Sequence, residues 1–416
     1  MAELKLAFIG LGAMGYPMAR RLSQRTDVDL VLFDNYPPTL ERAKELGGRI
    51  ASSVEDAVSG ADAVFTVLPA DAQVAEVASQ VAAVGRNGQL FAEFSSIGPD
   101  TILRVKEDLS RVGVRTVSLA MTRSTAAAAT GELMLLGGGL ENLDPAVEAA
   151  LTSVATEIRD VGSLAASKAQ KLANNMVVAS LDLAIIEAMV LGEAFGLGLA
   201  EVLDAMKVNG ADSWPIVNHI ERYLLPDDMG PGRFSTKYMA KDVGLYSEAA
   251  LAVGVPSYFA GLVRAAYRGL VATGHLDDYH MIVIHWLEDG AALGEPAKAT
   301  RAVPIASGDP GDLVTIARGM AAVQALVSED ALEFMAKLGV SRTATAGHLQ
   351  SGSAGSEYLN GVLDGTNAEG PSELGHFDED LRVVLELAER AAVPTAMFET
   401  ARRVAVARQA RGVSRG

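Results

Sequence analysis

Cysteine is absent from the 416 residues, which removes disulfides, thiolate nucleophiles and thiolate metal sites together. Aromatic residues are scarce at 5%, while alanine is abundant and glycine reaches 41 residues, a balance that suits closely packed helices and a nucleotide-type fold. Basic residues are in deficit. The 35 Lys and Arg face 52 Asp and Glu, and a net charge of −17 disfavours nucleic acid or an anionic membrane as a partner. A small anionic substrate remains the expected partner, because a site can be locally basic. No apolar run is uninterrupted over the length of a membrane span. The longest, VVASLDLAIIEAMVLGEAFGLGLA, is broken by Asp182, Glu187 and Glu193 and reads as a buried helix. The opening MAELKLAFIG lacks a basic-then-apolar leader and reads as a strand, so a cytoplasmic location is expected.

What is present falls into two regimes. Up to about residue 160, short apolar runs (KLAFIG, DLVLFD, ADAVFTVLP, GQLFAEFSS, GVRTVSLA) alternate with helical patterns, which predicts a doubly wound parallel sheet covered by helices on both faces. From Leu164 helical periodicity takes over. A stretch rich in Pro and Gly, GEPAKATRAVPIASGDPGD, then separates two helical blocks. These blocks resemble one another. KDVGLYSEAALAVGVP, ending at Pro256, aligns with EDLRVVLELAERAAVP, ending at Pro394, at one constant offset. The second block keeps the packing pattern but has Glu379 where the first has Lys241, and no lysine–asparagine cluster. The expected fold class is therefore α/β then all-α: a doubly wound domain over 1–163, a helical domain over 164–295, a linker over 296–311, and a diverged copy of the helical domain over 312–416.

LAFIGLGAMGYPMARRL places Gly10, Gly12 and Gly15 in G-x-G-x-x-G spacing between the first strand and a helix. The first glycine permits a tight turn, the second lets backbone approach a pyrophosphate, and the third lets helix pack on strand. The second strand ends at Asp34, nineteen residues after Gly15, where a carboxylate accepts hydrogen bonds from ribose hydroxyls and repels a 2′-phosphate. The expected cofactor is NAD rather than NADP, in a Rossmann-type domain; the plain alternative is that Asp34 caps the following turn.

KLANNM sets Lys171, Asn174 and Asn175 at i, i+3 and i+4, on one helical face. Lys168 stands one turn earlier. With GLGAMGYPMA, VLPADAQV, EFSSIGP, ATGEL and FSTKYMAKD, this stretch resembles the β-hydroxyacid dehydrogenase family over Leu6 to about Asp289, with a more distant likeness to 6-phosphogluconate dehydrogenase. The resemblance implies that Lys171 moves the proton at the substrate oxygen while hydride passes to or from the nicotinamide, and that Asn175 holds the substrate. A lysine in that role needs its pKa brought from about 10.4 toward neutrality by burial or by cationic neighbours such as Lys168, Lys241 and the nicotinamide ring. The resemblance further places cofactor contacts on Gly10, Leu11, Gly12, Ala13, Met14, Gly15, Asp34, Leu68, Pro69, Lys241 and Asp242. Substrate contacts fall on Ser95, Ser96, Thr122, Arg123, Ser124 and Asn174, and a homo-oligomer, dimer or tetramer, is implied.

The chain departs from the family pattern in two places. Thr122-Arg123-Ser124 stands where the family has Ser-Gly-Gly, and Ala165 and Ser167 replace glycines. Arg123 either offers a bidentate partner to a different or larger anionic group or points to solvent. No metal is expected, because His280 and His285 do not share a helical face. Trp214 and Trp286 are expected as core or cleft walls. An imine reductase on the same scaffold and a protein that only binds the cofactor are the competing readings; Lys171 and Asp34 speak against the first, and Lys171, Asn175 and Lys241 against the second.

Overall fold

The computed structural model describes residues 4–230, 233–284, 310–367 and 377–413. They form two compact units, Met1–Lys171 with Leu338–Val340, and Leu172–Lys337 with Ser341–Gly416. The division falls inside one continuous helix, beyond the boundary read from the sequence. His285, Trp286 and most of the expected linker lie outside the described residues.

The first unit is an eight-stranded sheet: β1 (Leu4–Ile9), β2 (Val28–Phe33), β3 (Arg49–Ile50), β4 (Ala63–Thr66), β5 (Leu90–Glu93), β6 (Arg115–Thr122), β7 (Leu133–Gly138) and β8 (Ala155–Asp160), in spatial order β3-β2-β1-β4-β5-β6-β7-β8. The strands β1 to β6 pair in parallel, β7 runs antiparallel to β6, and β8 is parallel to β7. Helices α1 (Gly15–Ser23), α2 (Pro37–Ala43), α3 (Val54–Val58), α4 (Asp71–Val84), α5 (Pro99–Ser110), α6 (Thr125–Thr130) and α7 (Pro145–Val154) fill the connections. Five strands are those marked by the apolar runs. The others are the two-residue edge strand β3 and the pair β7 and β8, which the sequence pattern did not single out.

Side chains on β1 alternate between two cores. Leu6 and Phe8 join Met18, Leu22 and Leu151 beneath α1 and α7, whereas Ala7 and Ile9 join Val54, Val77 and Leu109 beneath α3, α4 and α5. All four residues of β4 and of β5 are buried, as central parallel strands covered on both faces must be. The strand order reverses between β1 and β4, which opens a crevice at their carboxyl ends.

The described residues of the second unit are mainly helical. It holds most of α8 (Leu164–Ala194), then α9 (Leu199–Val208), a π-helix at Ile216–Leu224, α10 (Thr236–Ala252), α11 (Tyr258–Ala272), α12 (Pro310–Lys337), α13 (Arg342–Gln350), α14 (Glu357–Asp364), α15 (Phe377–Ala391) and α16 (Ala396–Val413). Among the described residues α8 is the one helix long and apolar enough to cross a membrane, but its apolar window is wholly buried, so it serves as a core helix.

The two helical blocks meet reciprocally. Ser213 and Ser356 face each other across an antiparallel bridge, with Trp214 N donating to Gly355 O and Glu357 N donating to Asp212 O, each at 2.8 Å. Glu187 on α8 accepts the backbone N–H of Met397 at the start of α16, while Asp330 on α12 accepts the hydroxyl of Ser257, the cap of α11. An acid from the long first helix of each block thus meets the N-terminus of a helix in the other. Gly319 keeps α12 against α15, since a Cβ there would lie 2.7 Å from Val384 Cγ1.

Candidate active site

The nucleotide end of the first unit is built from glycine geometry. Gly10 has φ +93°, and a Cβ on it would lie 2.1 Å from Val67 O; a Cβ on Gly15 would lie 1.9 Å from Gly10 O. No larger residue fits either position without moving backbone. A Cβ on Gly12 would meet nothing within 4 Å, so the outer face of the loop is open where a diphosphate would approach. Leu11, Ala13 and Met14 complete that loop before the N-terminus of α1, and the arrangement fits a dinucleotide.

Asp34 follows β2 directly and turns back onto this loop. Its Oδ2 accepts Leu11 N at 2.7 Å and its Oδ1 accepts Tyr36 N at 2.8 Å. The carboxylate therefore does cap the following turn, and also ties it to the glycine loop. Both oxygens retain lone pairs for a ribose hydroxyl.

The loops after β4 and β5 are fastened together. Leu68 N donates to Ser95 Oγ at 2.7 Å, and Ser95 N donates to Glu93 Oε1 at 2.7 Å. Ser95 is buried and its hydroxyl serves the scaffold; Ser96, beside it, is only partly buried, as is Leu68, and Pro69 is exposed.

Beneath this loop lies a pair that the sequence reading missed. Lys168 Nζ is 2.5 Å from Glu93 Oε2 and donates to the carbonyls of Glu93 and Ser95 at 2.9 and 3.0 Å, with both side chains fully buried. Lys168 was expected to act as a cationic neighbour of Lys171. A carboxylate at ion-pair distance neutralises it, so its observed role is to hold the 93–95 loop. The sequence signal was Glu93 itself, an acid at the end of a fully buried strand. Ser167 has a similar scaffold role, its hydroxyl donating to Leu136 O at 2.7 Å and sharing a 2.8 Å hydrogen bond with Ser118.

The stretch after β6 combines an unusual backbone with an anchored side chain. Thr122 is buried and donates to Met134 O at 3.2 Å. Arg123 keeps φ at +73°, a conformation that favours glycine, and its guanidinium engages Glu132 O, Thr156 Oγ1 and Glu157. The side chain is nevertheless 39% exposed, so these contacts lie at the surface. Ser124 caps α6 without a side-chain hydrogen bond.

In the second unit a relay of polar side chains runs from α8 to α10. Asn174 Nδ2 donates to Asn175 Oδ1 at 3.2 Å, Asn175 Nδ2 donates to Asp242 Oδ2 at 2.6 Å, and Asp242 Oδ1 pairs with Lys241 Nζ at 2.8 Å. Asp242 is 1% exposed, so Lys241–Asp242 is no ordinary surface pair. Lys171 shares the helical face of the two asparagines on the unbroken α8.

A separate buried cluster lies further along α8. His219 Nδ1 on the π-helix is 2.8 and 3.1 Å from the two oxygens of Asp182, and His280 Nδ1 is 3.7 Å from Asp182 Oδ2. Burial pushes the Asp182 carboxyl up against the pull of His219, and burial together with His219 pushes His280 well down. These three could compose a metal site by residue type. The 2.8 Å contact is a hydrogen bond, shorter than the roughly 3.3 Å edge between two ligands of one tetrahedral zinc.

With this geometry in place, comparison with known proteins is informative. Residues 5–162 match the family described as the NAD binding domain of 6-phosphogluconate dehydrogenase, and 165–287 match the NAD-binding family of NADP-dependent 3-hydroxyisobutyrate dehydrogenase. A probable 3-hydroxyisobutyrate dehydrogenase of Mycobacterium tuberculosis is 30% identical over 288 residues, which is 68% of this chain and 97% of that protein. The chain belongs to the β-hydroxyacid dehydrogenase family.

A solved 3-hydroxyisobutyrate dehydrogenase of M. tuberculosis, described with L-serine, superposes with TM-score 0.65 at 29% identity, covering 68% of this chain and 99% of that one. The likeness extends further for 6-phosphogluconate dehydrogenase of Plasmodium falciparum, with TM-score 0.68 at 14% identity over 96% of this chain and 91% of that one. At that identity the match concerns fold alone, and it includes the extra C-terminal helices. As a β-hydroxyacid dehydrogenase family member, the protein is an NAD(P)-dependent oxidoreductase acting on CH–OH, with a pyridine-nucleotide-binding N-terminal domain.

Proposed function

We propose that the protein is an NAD-dependent dehydrogenase of a small β-hydroxy acid, with Lys171 as general acid/base and Asn175 as the residue that holds the substrate oxygen. The observation that carries this reading is the set Lys171, Asn174 and Asn175 on one face of an unbroken helix, with Asn175 oriented by the buried Asp242. An amide in a fixed orientation can donate to a hydroxyl without taking its proton. The nicotinamide, when bound, supplies the hydride acceptor. Lys171 then takes the hydroxyl proton as the carbonyl forms, and returns one in the reverse direction. Lys168 and Lys241 each sit beside a carboxylate, so the reading relies on the cofactor's own positive ring as a cationic neighbour of Lys171.

The preference for NAD rests on Asp34. Its carboxylate stands at the end of β2 against the glycine loop, where a 2′-phosphate would be repelled. Arg123 is committed to its own neighbours, which favours a compact acid over a larger anion. The test is reduced-nucleotide formation from 3-hydroxyisobutyrate, L-serine and related hydroxy acids at mildly alkaline pH, with NAD and NADP compared. Turnover with NAD at least tenfold more efficient supports the reading; preference for NADP overturns the assignment to Asp34, and no turnover with either nucleotide overturns the substrate class.

A further inference from the structure

Asn174 is held from the far end of the chain. Its Oδ1 accepts the backbone N–H of Ala354 at 3.2 Å, and its Nδ2 donates to Ser353 Oγ at 2.8 Å as well as to Asn175. Both partners belong to the loop between α13 and α14, in the second helical block. That loop is brought there by the Ser213–Ser356 bridge, three residues beyond Ser353. Gly352 makes the approach possible, since a Cβ on it would lie 2.5 Å from Asn174 Oδ1.

The contact does more than fill space, because it fixes a direction. A backbone N–H can only donate, so Ala354 requires the carbonyl end of Asn174 to face it, and the amino end then faces Ser353 and Asn175. Asn175 must answer with its own carbonyl, which turns its amino group to the Asp242 carboxylate. The sense of every hydrogen bond from Ala354 to Asp242 follows from that first donor.

We propose that the 351–355 loop is part of the substrate site, with the Ala354 N–H setting the sense of the Asn174 amide and Ser353 as a positioning residue that holds Asn174, and through it Asn175, in place. The second helical block thereby contributes to specificity and rate rather than to stability alone. This rests on the reading that Asn175 holds the substrate.

The experiment compares Ser353→Ala, Ser353→Thr and Gly352→Ala with the wild-type full chain on kcat and KM for 3-hydroxyisobutyrate or L-serine, whichever the wild type turns over faster, alongside NADH affinity and melting temperature. Ser353→Ala is expected to lower kcat/KM about tenfold, the worth of one hydrogen bond, with NADH affinity and melting temperature unchanged. Ser353→Thr, which keeps the hydroxyl, should restore most of the loss, and Gly352→Ala should lose more than Ser353→Ala. Wild-type kcat and KM in Ser353→Ala would overturn the proposal, as would an activity loss matched by lower melting temperature. If the wild type turns over neither acid, the substrate-class reading fails, and a crystal structure of Ser353→Ala decides the positioning claim: displaced Asn174 and Asn175 side chains support it, and unchanged ones overturn it.

Discussion

Lys168 and Glu93 form a fully buried ion pair at 2.5 Å beneath the loop that carries Ser95 and Ser96. Removing one partner leaves a charge in the interior with nothing to balance it, which costs roughly 3–5 kcal/mol in such settings. Lys168→Met is therefore expected to be severely destabilised in urea unfolding. The double variant Lys168→Met with Glu93→Leu should recover much of that loss, because the buried charge is gone; a double variant no better than the single would contradict the account.

Glu187 supplies a pH dependence of definite sign. Burial pushes its carboxyl from 4.5 up to about 8, against the backbone N–H groups at the start of α16. The folded chain thus holds a proton that the unfolded chain releases, and stability falls as pH rises between those two values. A shift of this size corresponds to an effect on the order of 5 kcal/mol. Glu187→Gln keeps an acceptor for Met397 and cannot ionise, so its melting temperature should fall less between pH 5 and pH 8.5 than that of the wild type. Asp330, pushed up to about 6 mainly by burial, adds a smaller trend of the same sign in both proteins.

The Arg123 position inverts the usual order of side chains. Its φ of +73° is open to glycine at little cost and strains alanine by about 1 kcal/mol. Both Arg123→Gly and Arg123→Ala lose the contacts to Glu132, Thr156 and Glu157, so the difference between them reads the backbone alone. Arg123→Gly should be the more stable of the two by denaturant midpoint. Equal midpoints would show that the loop adopts another conformation in solution.

Local features of the chain were legible in its sequence. The glycine loop, Asp34 and five of the strands are recognised from spacing and apolar runs within a few residues, and the structure places the glycine loop and Asp34 at the carboxyl ends of β1 and β2. The Lys171 and asparagine face follows from helical periodicity. Long-range pairings were not legible: Lys168 meets the carbonyl of Glu93 across 75 positions, and Asn174 meets Ser353 across 179. Nothing in LQSGSAGSE distinguishes a loop that orients a site from a loop in solvent. β8 was hidden for another reason. ATEIRD is only partly buried and shows no period of two. The π-helix carrying His219 has no spacing signature either, and its buried contact with Asp182 emerges only once α8 is in place.

The central claim, that Lys171 carries the proton, is tested most directly by kcat for hydroxy-acid oxidation with NAD in Lys171→Ala against the wild type, with NADH affinity measured on both. Loss of a positioned general base predicts a fall in kcat of about a hundredfold or more, with NADH affinity unchanged. A variant that retains kcat within tenfold of the wild type would contradict the account.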